Sequence, residues 1–418
     1  MLGLGVVTAS PRKLRREHIP LVVLAAILVL GYAFILHEQL AVRPWIAQPH
    51  PLWNETAKIL DEPIAASVSV ARNQPFFALG VPLANMLAII CSFIVSIDRR
   101  RAQQLILVVA WSGAGYALYG IAMYLLDPTH VLWREKLIYQ GVLTATFISR
   151  NAAAVYFGSC AVLWLLLLCQ QIRQKLPSGP IYWRLVPRMF VSEFSRPIIL
   201  PFSMVILCVA AMLLTNSRAG VVISLAISVV AFGLYFRRDL PGRGAVLATL
   251  AVGGLVALAI LQVLGANVSG RFDLQGLSDE GRLEVYRSTL RIIGDHPWFG
   301  TGLGTFPWSF PSYRSDTLSA WGTWDRAHST PLELASDLGL PLTALIVVAW
   351  LVILGILVRG IIIRRRDIIV PIAAFSVASL GVLHSSIDFS LQIPGYSIVV
   401  FSLLGAGLAQ SYSSSNTE

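Results

Sequence analysis

Apolar runs close to 20 residues long recur along the chain, and examples are Ile19–Leu36, Leu105–Leu126 and Leu340–Val358. A helix of about this length crosses the hydrocarbon core of a bilayer. The pattern predicts about ten spans, near residues 19–36, 76–97, 105–126, 152–170, 197–214, 219–236, 244–264, 338–358, 368–386 and 395–411. We therefore predict an all-α, polytopic membrane protein in which residues 1–418 form a single membrane domain. A long polar loop, residues 265–337, lies between the seventh and eighth spans.

Composition agrees with this pattern, because 56% of residues are hydrophobic and 13% are charged. Soluble globular domains carry about 25% charged residues. The formal charge of +10 could indicate nucleic acid, but the basic residues form short clusters at the ends of apolar runs. That distribution is typical of membrane orientation signals, so no nucleic-acid partner is expected.

Lys and Arg also predict the orientation. With the N-terminus inside and the long loop left out, the inner segments hold 19 of these residues and the outer segments 7. Basic residues favour the cytoplasmic side. Both termini are therefore predicted to be cytoplasmic and the long loop to face outward. The first apolar run is interpreted as a retained helix rather than a cleaved signal peptide.

The long loop has a pattern of its own. Over 282–294, Leu283, Tyr286, Leu290 and Ile293 recur at helical spacing, which predicts an amphipathic helix on the membrane surface. The aromatic residues that follow could sit at the headgroup level or stack on sugar rings; they are Trp308, Tyr313, Trp321 and Trp324.

Arginine is the first chemical signal, since 28 of the 32 basic residues are Arg. Its planar, permanently charged fork matches phosphate geometry. Arg218 lies in a very short connection between two spans, Arg150 just precedes a span, and Arg282 opens the amphipathic helix. Arg287 and Arg291 share another face of that helix and are secondary candidates. Snorkelling to lipid phosphates is the alternative for each outer arginine.

Histidine is the second signal. His328 lies where the long loop re-enters the membrane, and its side chain suits a general base near neutral pH. A structural role is the alternative for a lone histidine. His384 is a second candidate on the outer side, although helix-end packing is the favoured interpretation there, and His296 is assigned to a turn.

Several other signals are absent from the sequence. The run Gly300–Gly304 (GTGLG) is not a dinucleotide fingerprint, and no strand precedes it. The acidic residues of the long loop show no Asp-x-Asp, and no histidine pair has metal-ligand spacing. A metal-dependent sugar transferase is therefore disfavoured, and neither a metal nor another cofactor is expected.

Five stretches together resemble the bacterial O-antigen ligase and O-antigen polymerase superfamily. They are TFISRN at 146–151, NSRAG at 216–220, GRLEVYRSTLRIIGDHPWFGTGLGTF at 281–306, AHSTPLELASDLG at 327–339 and HSSIDFSLQIP at 384–394. Such proteins move a glycan from undecaprenyl diphosphate to an acceptor on the periplasmic side of the inner membrane, without metal. Family members often have Asn after the histidine, whereas this chain has Ser329.

The resemblance implies roles for four residues. Arg218 would bind the diphosphate, with Arg282 and Arg150 as further contacts. His328 would be the essential histidine, acting as a base or orienting the acceptor. Chemically, arginines would stabilise the leaving diphosphate while a base accepts the acceptor proton, which predicts a single displacement with inversion at the anomeric carbon.

The acceptor stays open, with a slight preference for lipid A-core, as in a ligase. A second lipid-linked glycan, as in a polymerase, and a protein hydroxyl are the alternatives. A different class, a transporter or flippase of lipid-linked glycan, is less favoured. The predicted spans are nearly free of charge and show no repeat, and the candidate groups gather at the outer interface.

Overall fold

The computed structural model describes residues 16–176, 196–240, 242–264, 280–318, 324–364 and 367–412. Up to the long loop, the membrane helices are α1 Ile19–Leu40, α4 Gly80–Val95, α5 Arg99–Leu126, α6 Arg150–Lys175, α7 Arg196–Leu214, α8 Arg218–Phe236 and α9 Gly242–Leu264. After it come α13 Leu340–Ile363, α14 Ile369–Ser385 and α15 Pro394–Ser411. The connections carry α2 Leu52–Leu60, α3 Gln74–Ala78, α10 Glu280–Asp295, α11 Phe306–Ser309 and α12 Thr330–Leu338, with one hairpin, β1 His130–Val131 and β2 Arg134–Glu135.

The all-α polytopic class is confirmed. By length and composition, seven helices in the described segments could cross a membrane: 16–40, 74–95, 99–126, 150–175, 197–214, 218–236 and 340–363. Gly244–Ala259 and Ile369–Ser385 are shorter apolar helices. These two helices and α15 lie at the remaining three predicted spans, 244–264, 368–386 and 395–411. The second predicted span is interrupted between α3 and α4. Pro82 lacks the N–H that would bond to the carbonyl of Ala78, four residues earlier.

Helix α6 forms the centre of the bundle. It packs against α5, α7, α8 and α14, and nearly nine-tenths of its most apolar stretch is buried. Small residues allow the close approach of α8: a Cβ at Gly220 would lie 2.6 Å from the Cβ of Ala154. A Cβ at Gly158 would collide with Ser224. Helix α14 is also buried along its length and packs against α6, α8, α13 and α15.

The connections gather at two ends of the bundle. At one end, which we call the basic end, Arg99 pairs with Asp367, Arg173 pairs with Asp239, and Arg237 donates to the carbonyl of Ile361. At the other end, which we call the loop end, the start of the chain meets the long loop. There the backbone N–H of Val70 donates to the backbone carbonyl of Thr301 (2.9 Å). The backbone N–H of Thr330 donates to the backbone carbonyl of Asp388 (3.2 Å). All the candidate site residues lie at the loop end.

Helix α10 confirms the predicted amphipathic helix and refines which face is buried. Val285 and Ile292 pack with Phe306 and Phe310 inside the long loop. Of the predicted apolar stripe, Ile293 is buried, whereas Leu283 and Leu290 are 43% and 55% exposed. The helix therefore uses one apolar face for the loop's own small core and leaves a second facing outward. The sequence pattern had merged the two.

Candidate active site

His328 lies directly before α12 in a conformation that non-glycine residues seldom adopt. Its φ is +53°, in the left-handed region. The hydroxyl of Tyr286, on α10, donates to its backbone carbonyl at 2.8 Å. The rings of Trp324 and Phe389 meet the imidazole edge to face, with centroids 5.4 and 5.1 Å away. Strained residues held by their surroundings cluster at functional sites, which makes His328 a functional candidate on structural grounds as well.

A buried carboxylate faces this histidine. Nδ1 of His328 lies 3.4 Å from Oδ1 of Asp388, a contact longer than an ordinary hydrogen bond. Burial acts to raise the pKa of Asp388, but contact with His328 and the fields of His384 and Arg282 outweigh it, so the pKa lies below its usual value. Asp388 therefore stays ionised beside the imidazole. A carboxylate on Nδ1 favours the tautomer that leaves Nε2 free to accept a proton.

Arg282 and His384 complete this cluster around Asp388. Nη1 of Arg282 donates to the carbonyl of Ile387 at 3.2 Å, which holds the guanidinium next to Asp388. His384 is buried at the end of α14, with Nδ1 2.8 Å from Oγ of Ser390 and Nε2 4.0 Å from Oδ2 of Asp388. The structure thus brings His328, Arg282 and His384 together. Burial and the Ser390 contact agree with the favoured interpretation of His384 as a packing residue.

A second set of contacts fixes the segment that carries His328. Nη1 of Arg326 donates to Glu333 (3.0 Å) and to Gln392 (2.8 Å). The other oxygen of Glu333 accepts from the backbone of Ala327 at 2.8 Å. Because Gln392 belongs to the segment after Asp388, these bonds tie the two chain segments that supply His328 and Asp388.

Arg150 and Arg218 open the neighbouring helices α6 and α8. Oγ of Ser217 donates to Oδ1 of Asn151 at 2.8 Å, so each arginine is the chain neighbour of one of two residues that touch each other. The guanidinium of Arg150 lies over the ring of Tyr139, 5.1 Å from its centroid. Each helix N-terminus carries a partial positive charge and unsatisfied N–H groups. Arg150, Arg218 and the two adjacent helix N-termini together make a positively charged surface, which we call the arginine corner. Such a surface suits an anion.

This corner and the His328 cluster share one end of a packed group of helices. Helix α14 packs against α6 and α8. Its final turn carries His384, so it ends at the loop end, where Arg218 begins α8. The secondary candidates Arg287 and Arg291 have other contacts: Arg287 pairs with Glu284, and Nη2 of Arg291 donates to the carbonyl of Tyr313 at 3.0 Å. They belong to the loop's own framework rather than to the cluster.

The glycine-rich run 300–304 is structural, in line with its failure as a nucleotide motif. Gly300, Gly302 and Gly304 all have positive φ. A Cβ at Gly300 would lie 2.4 Å from the backbone of Asp337. The N–H of Gly304 donates to Oδ2 of Asp337 at 2.7 Å. The run therefore holds the long loop against the end of α12.

The loop aromatics have separate positions. Trp324 contacts His328, Trp308 is 53% exposed, and Tyr313 donates to Asp295 at 2.8 Å. Trp321 lies outside the described residues. Among the loop aromatics that the structure describes, Trp324 is the one whose ring contacts the histidine.

Sequence reasoning missed Asp388, Tyr286 and the Arg326–Glu333 pair. Two signals were present: Asp388 follows His384 by four residues at the end of a span, and Tyr286 follows Arg282 by four residues on the same helix. Glu333 gave no comparable signal, because its role depends on contacts with Ala327 and Arg326 that form only on folding. Among the described residues, no group of three or more His, Cys, Asp or Glu side chains is arranged to hold a metal ion.

Comparison with known proteins gives one match, and it concerns the middle of the chain. No curated protein matches the chain. A family model described as O-antigen ligase matches residues 203–347, roughly a third of the chain. The matched region contains Arg218, Arg282 and His328, and it ends within α13. The resemblance to the O-antigen ligase superfamily is therefore confirmed, and it covers residues 203–347, where the chain is similar to O-antigen ligases.

Proposed function

We propose that the chain is an inverting membrane glycosyltransferase that moves a glycan from undecaprenyl diphosphate to an acceptor hydroxyl at the periplasmic face of the bacterial inner membrane. The observation that most supports this proposal is the contact between His328 and the buried, ionised Asp388, with Arg282 beside it. The long loop, inserted in a single membrane domain, supplies the histidine, and the membrane bundle supplies the carboxylate.

The proton step uses His328. As the acceptor oxygen attacks the anomeric carbon, its proton passes to Nε2 of His328. The imidazole becomes a cation, and Asp388 on Nδ1 stabilises that charge. The left-handed backbone, the Tyr286 hydrogen bond and the flanking rings hold the imidazole in place, which supports a base with a fixed orientation.

The arginines are assigned to the leaving group, whose negative charge they would stabilise. The bond between the anomeric carbon and the diphosphate oxygen breaks, and its electron pair stays on the diphosphate. Arg218, Arg150 and the N-termini of α6 and α8 form the corner that would accept this negative charge, with Arg282 as a further contact. Preorganised positive groups stabilise such charge without reorganisation during the reaction. No step requires a metal or another cofactor.

A ligase that uses lipid A-core as acceptor is the preferred form of this proposal, supported by the description of the matching family. A polymerase would use a second lipid-linked glycan with the same donor, and a protein hydroxyl is the third acceptor. In a deletion strain, accumulation of long lipid-linked glycan would support a ligase. Lipopolysaccharide with a single repeat would support a polymerase.

The decisive experiment uses purified full-length protein in detergent, an undecaprenyl-diphosphate glycan and EDTA. Lipid A-core and a second lipid-linked glycan are offered separately, and the anomeric configuration of the product is determined. We expect transfer with inversion in wild type and a rate about 10²–10³-fold lower in Arg218→Ala. Arg287→Ala is the matched control, because Arg287 pairs with Glu284, and it should stay near wild type.

Two results would contradict the proposal. A product that retains the donor configuration would exclude a single displacement. Absence of transfer to either acceptor, from protein shown to be folded, would contradict both lipid-linked forms of the proposal and favour a transporter or flippase, or a protein acceptor.

A further inference from the structure

An apolar groove lies at the loop end between α1 and α13. Its volume is about 700 Å³, and it is open to the outside. The walls include Phe34 and Ile35 of α1 and Leu342 and Leu345 of α13. Residues 46–48 and 298–299 lie across it. None of these residues takes part in the His328 cluster, so the groove is a separate feature.

Two buried polar side chains at the end of α1 build the groove. The carboxylate of Glu38 accepts the N–H groups of Trp45 (3.0 Å), Ile46 (3.0 Å) and Ala47 (2.8 Å), which fixes residues 46–48. The amide of Gln39 donates to the carbonyls of Phe299 (2.7 Å) and Asp337 (2.8 Å). Both side chains are fully buried. The groove is therefore held open by specific hydrogen bonds.

The neighbouring surface indicates that a lipid chain fills the groove. Both walls are helices long and apolar enough to cross a membrane. Outside the groove these helices expose Leu30 (68%) and Leu351 (65%), which a bilayer would cover. Hydrocarbon tails are as apolar as leucine side chains, so a chain can pass from the bilayer into such a groove at little cost.

Helix α12 connects the groove to the site. It begins directly after His328–Ser329 and ends at Leu338, which packs with Ile35 and Leu342 at the groove wall. Its length corresponds to about 12 Å at 1.5 Å per residue. The arginine corner belongs instead to α6 and α8. In an in-line displacement the acceptor and the leaving diphosphate lie on opposite sides of the anomeric carbon. The lipid nearest the base is then the acceptor's.

From these contacts we infer that the α1–α13 groove binds an acyl chain of the lipid that anchors the acceptor, and so delivers the acceptor hydroxyl to His328. This inference rests on the proposed function and adds a second lipid subsite to it.

The kinetic test compares lipid A-core with the same core after removal of its acyl chains. Ala47→Trp and Leu345→Trp each place an indole in the groove. We expect both variants to raise KM for the acylated acceptor about tenfold or more. Their kcat, their KM for the donor and their KM for the deacylated core should match wild type. Leu351→Trp, on the outer surface of α13, is the matched control and should change none of these values.

A labelling test works without turnover. Lipid A-core with a photoactivatable acyl chain is expected to label wild type within residues 46–48 or 341–345, with less labelling in Ala47→Trp. Excess acylated acceptor should compete. Competition by undecaprenyl diphosphate instead would assign the groove to the donor, and equal competition by phospholipid would make it a bulk-lipid site. Either result would overturn the inference. Specific labelling without any transfer would instead contradict the proposed function and leave the lipid subsite standing.

Discussion

Two histidine contacts at the loop end show how the partner decides what an imidazole can do. His328 faces the carboxylate of Asp388. His50, in the first outer connection, faces His296 of the long loop, with the two Nε2 atoms 3.0 Å apart and the ring centroids 4.5 Å apart. One contact can accommodate a positively charged ring, whereas the other requires two neutral rings.

His50 cannot accept a second proton on Nδ1 without losing the hydrogen bond from Leu52. Nδ1 of His50 accepts the N–H of Leu52 at 3.2 Å, so the proton of His50 lies on Nε2 and is donated to Nε2 of His296. Burial and His296 lower the pKa of His50 to about 4. Burial also lowers the pKa of His296, and Asp295 opposes it. This pair joins two loops, whereas the His328–Asp388 pair is the one to which we assign proton transfer.

The largest expected effect is on the transfer rate, and it should distinguish the role of His328 from that of His50. We expect His328→Ala to lower the transfer rate about 10²–10⁴-fold, the range a positioned base contributes. His50→Gln, the matched control at the same end, should keep the rate within the same order of magnitude. Initial rates measured on folded protein check this. Equal losses in both variants would show that His328 acts through loop structure rather than through its chemistry.

An intermediate effect should follow from changing the partner and keeping its shape. Asp388→Asn removes the negative charge that stabilises the protonated imidazole, and we expect about a 10²-fold loss of rate. Initial rates of both proteins, each shown to be folded, test this. A rate near that of wild type in Asp388→Asn would contradict the assignment.

The smallest effect should appear in stability rather than in rate. The pKa of His50 is lower in the folded protein than its usual value near 6.5. The contribution of neutral His50 to the free energy of unfolding is therefore full above about pH 6.5, and it is lost as the pH falls toward about 4. The hydrogen-exchange protection factors of residues 41–51, which are corrected for the intrinsic pH dependence of exchange, should fall between pH 7 and pH 5. In His50→Phe, which keeps an aromatic ring without a titrating group, this fall should be smaller. The same fall in that variant would contradict the assignment.

The arginines teach a similar lesson about sequence patterns. Arg282, Arg287 and Arg291 lie on one helix and looked comparable along the chain. Folding places only Arg282 at the segment that carries Asp388, because its position on α10 matches that of Tyr286, which reaches His328. Arg287 and Arg291 lie on another face and bind within the loop. Helical spacing predicted the two faces, but not which of them meets the membrane bundle.

The sequence by itself determined the membrane class, the positions of the helices and most of the candidate chemistry. Apolar runs must form helices in a bilayer, since every backbone N–H and C=O has to be satisfied within its own segment. Arg218 was visible because it lies in a very short connection on the side where basic residues are disfavoured, and His328 because it lies where the long loop meets the next apolar run. Tertiary structure alone decided that Asp388 faces His328, that Glu333 holds Arg326, and that α1 and α13 leave a groove between them. Each of these depends on contacts between segments tens to hundreds of residues apart or on buried polar groups, and local patterns carry no information about which distant partner will satisfy them.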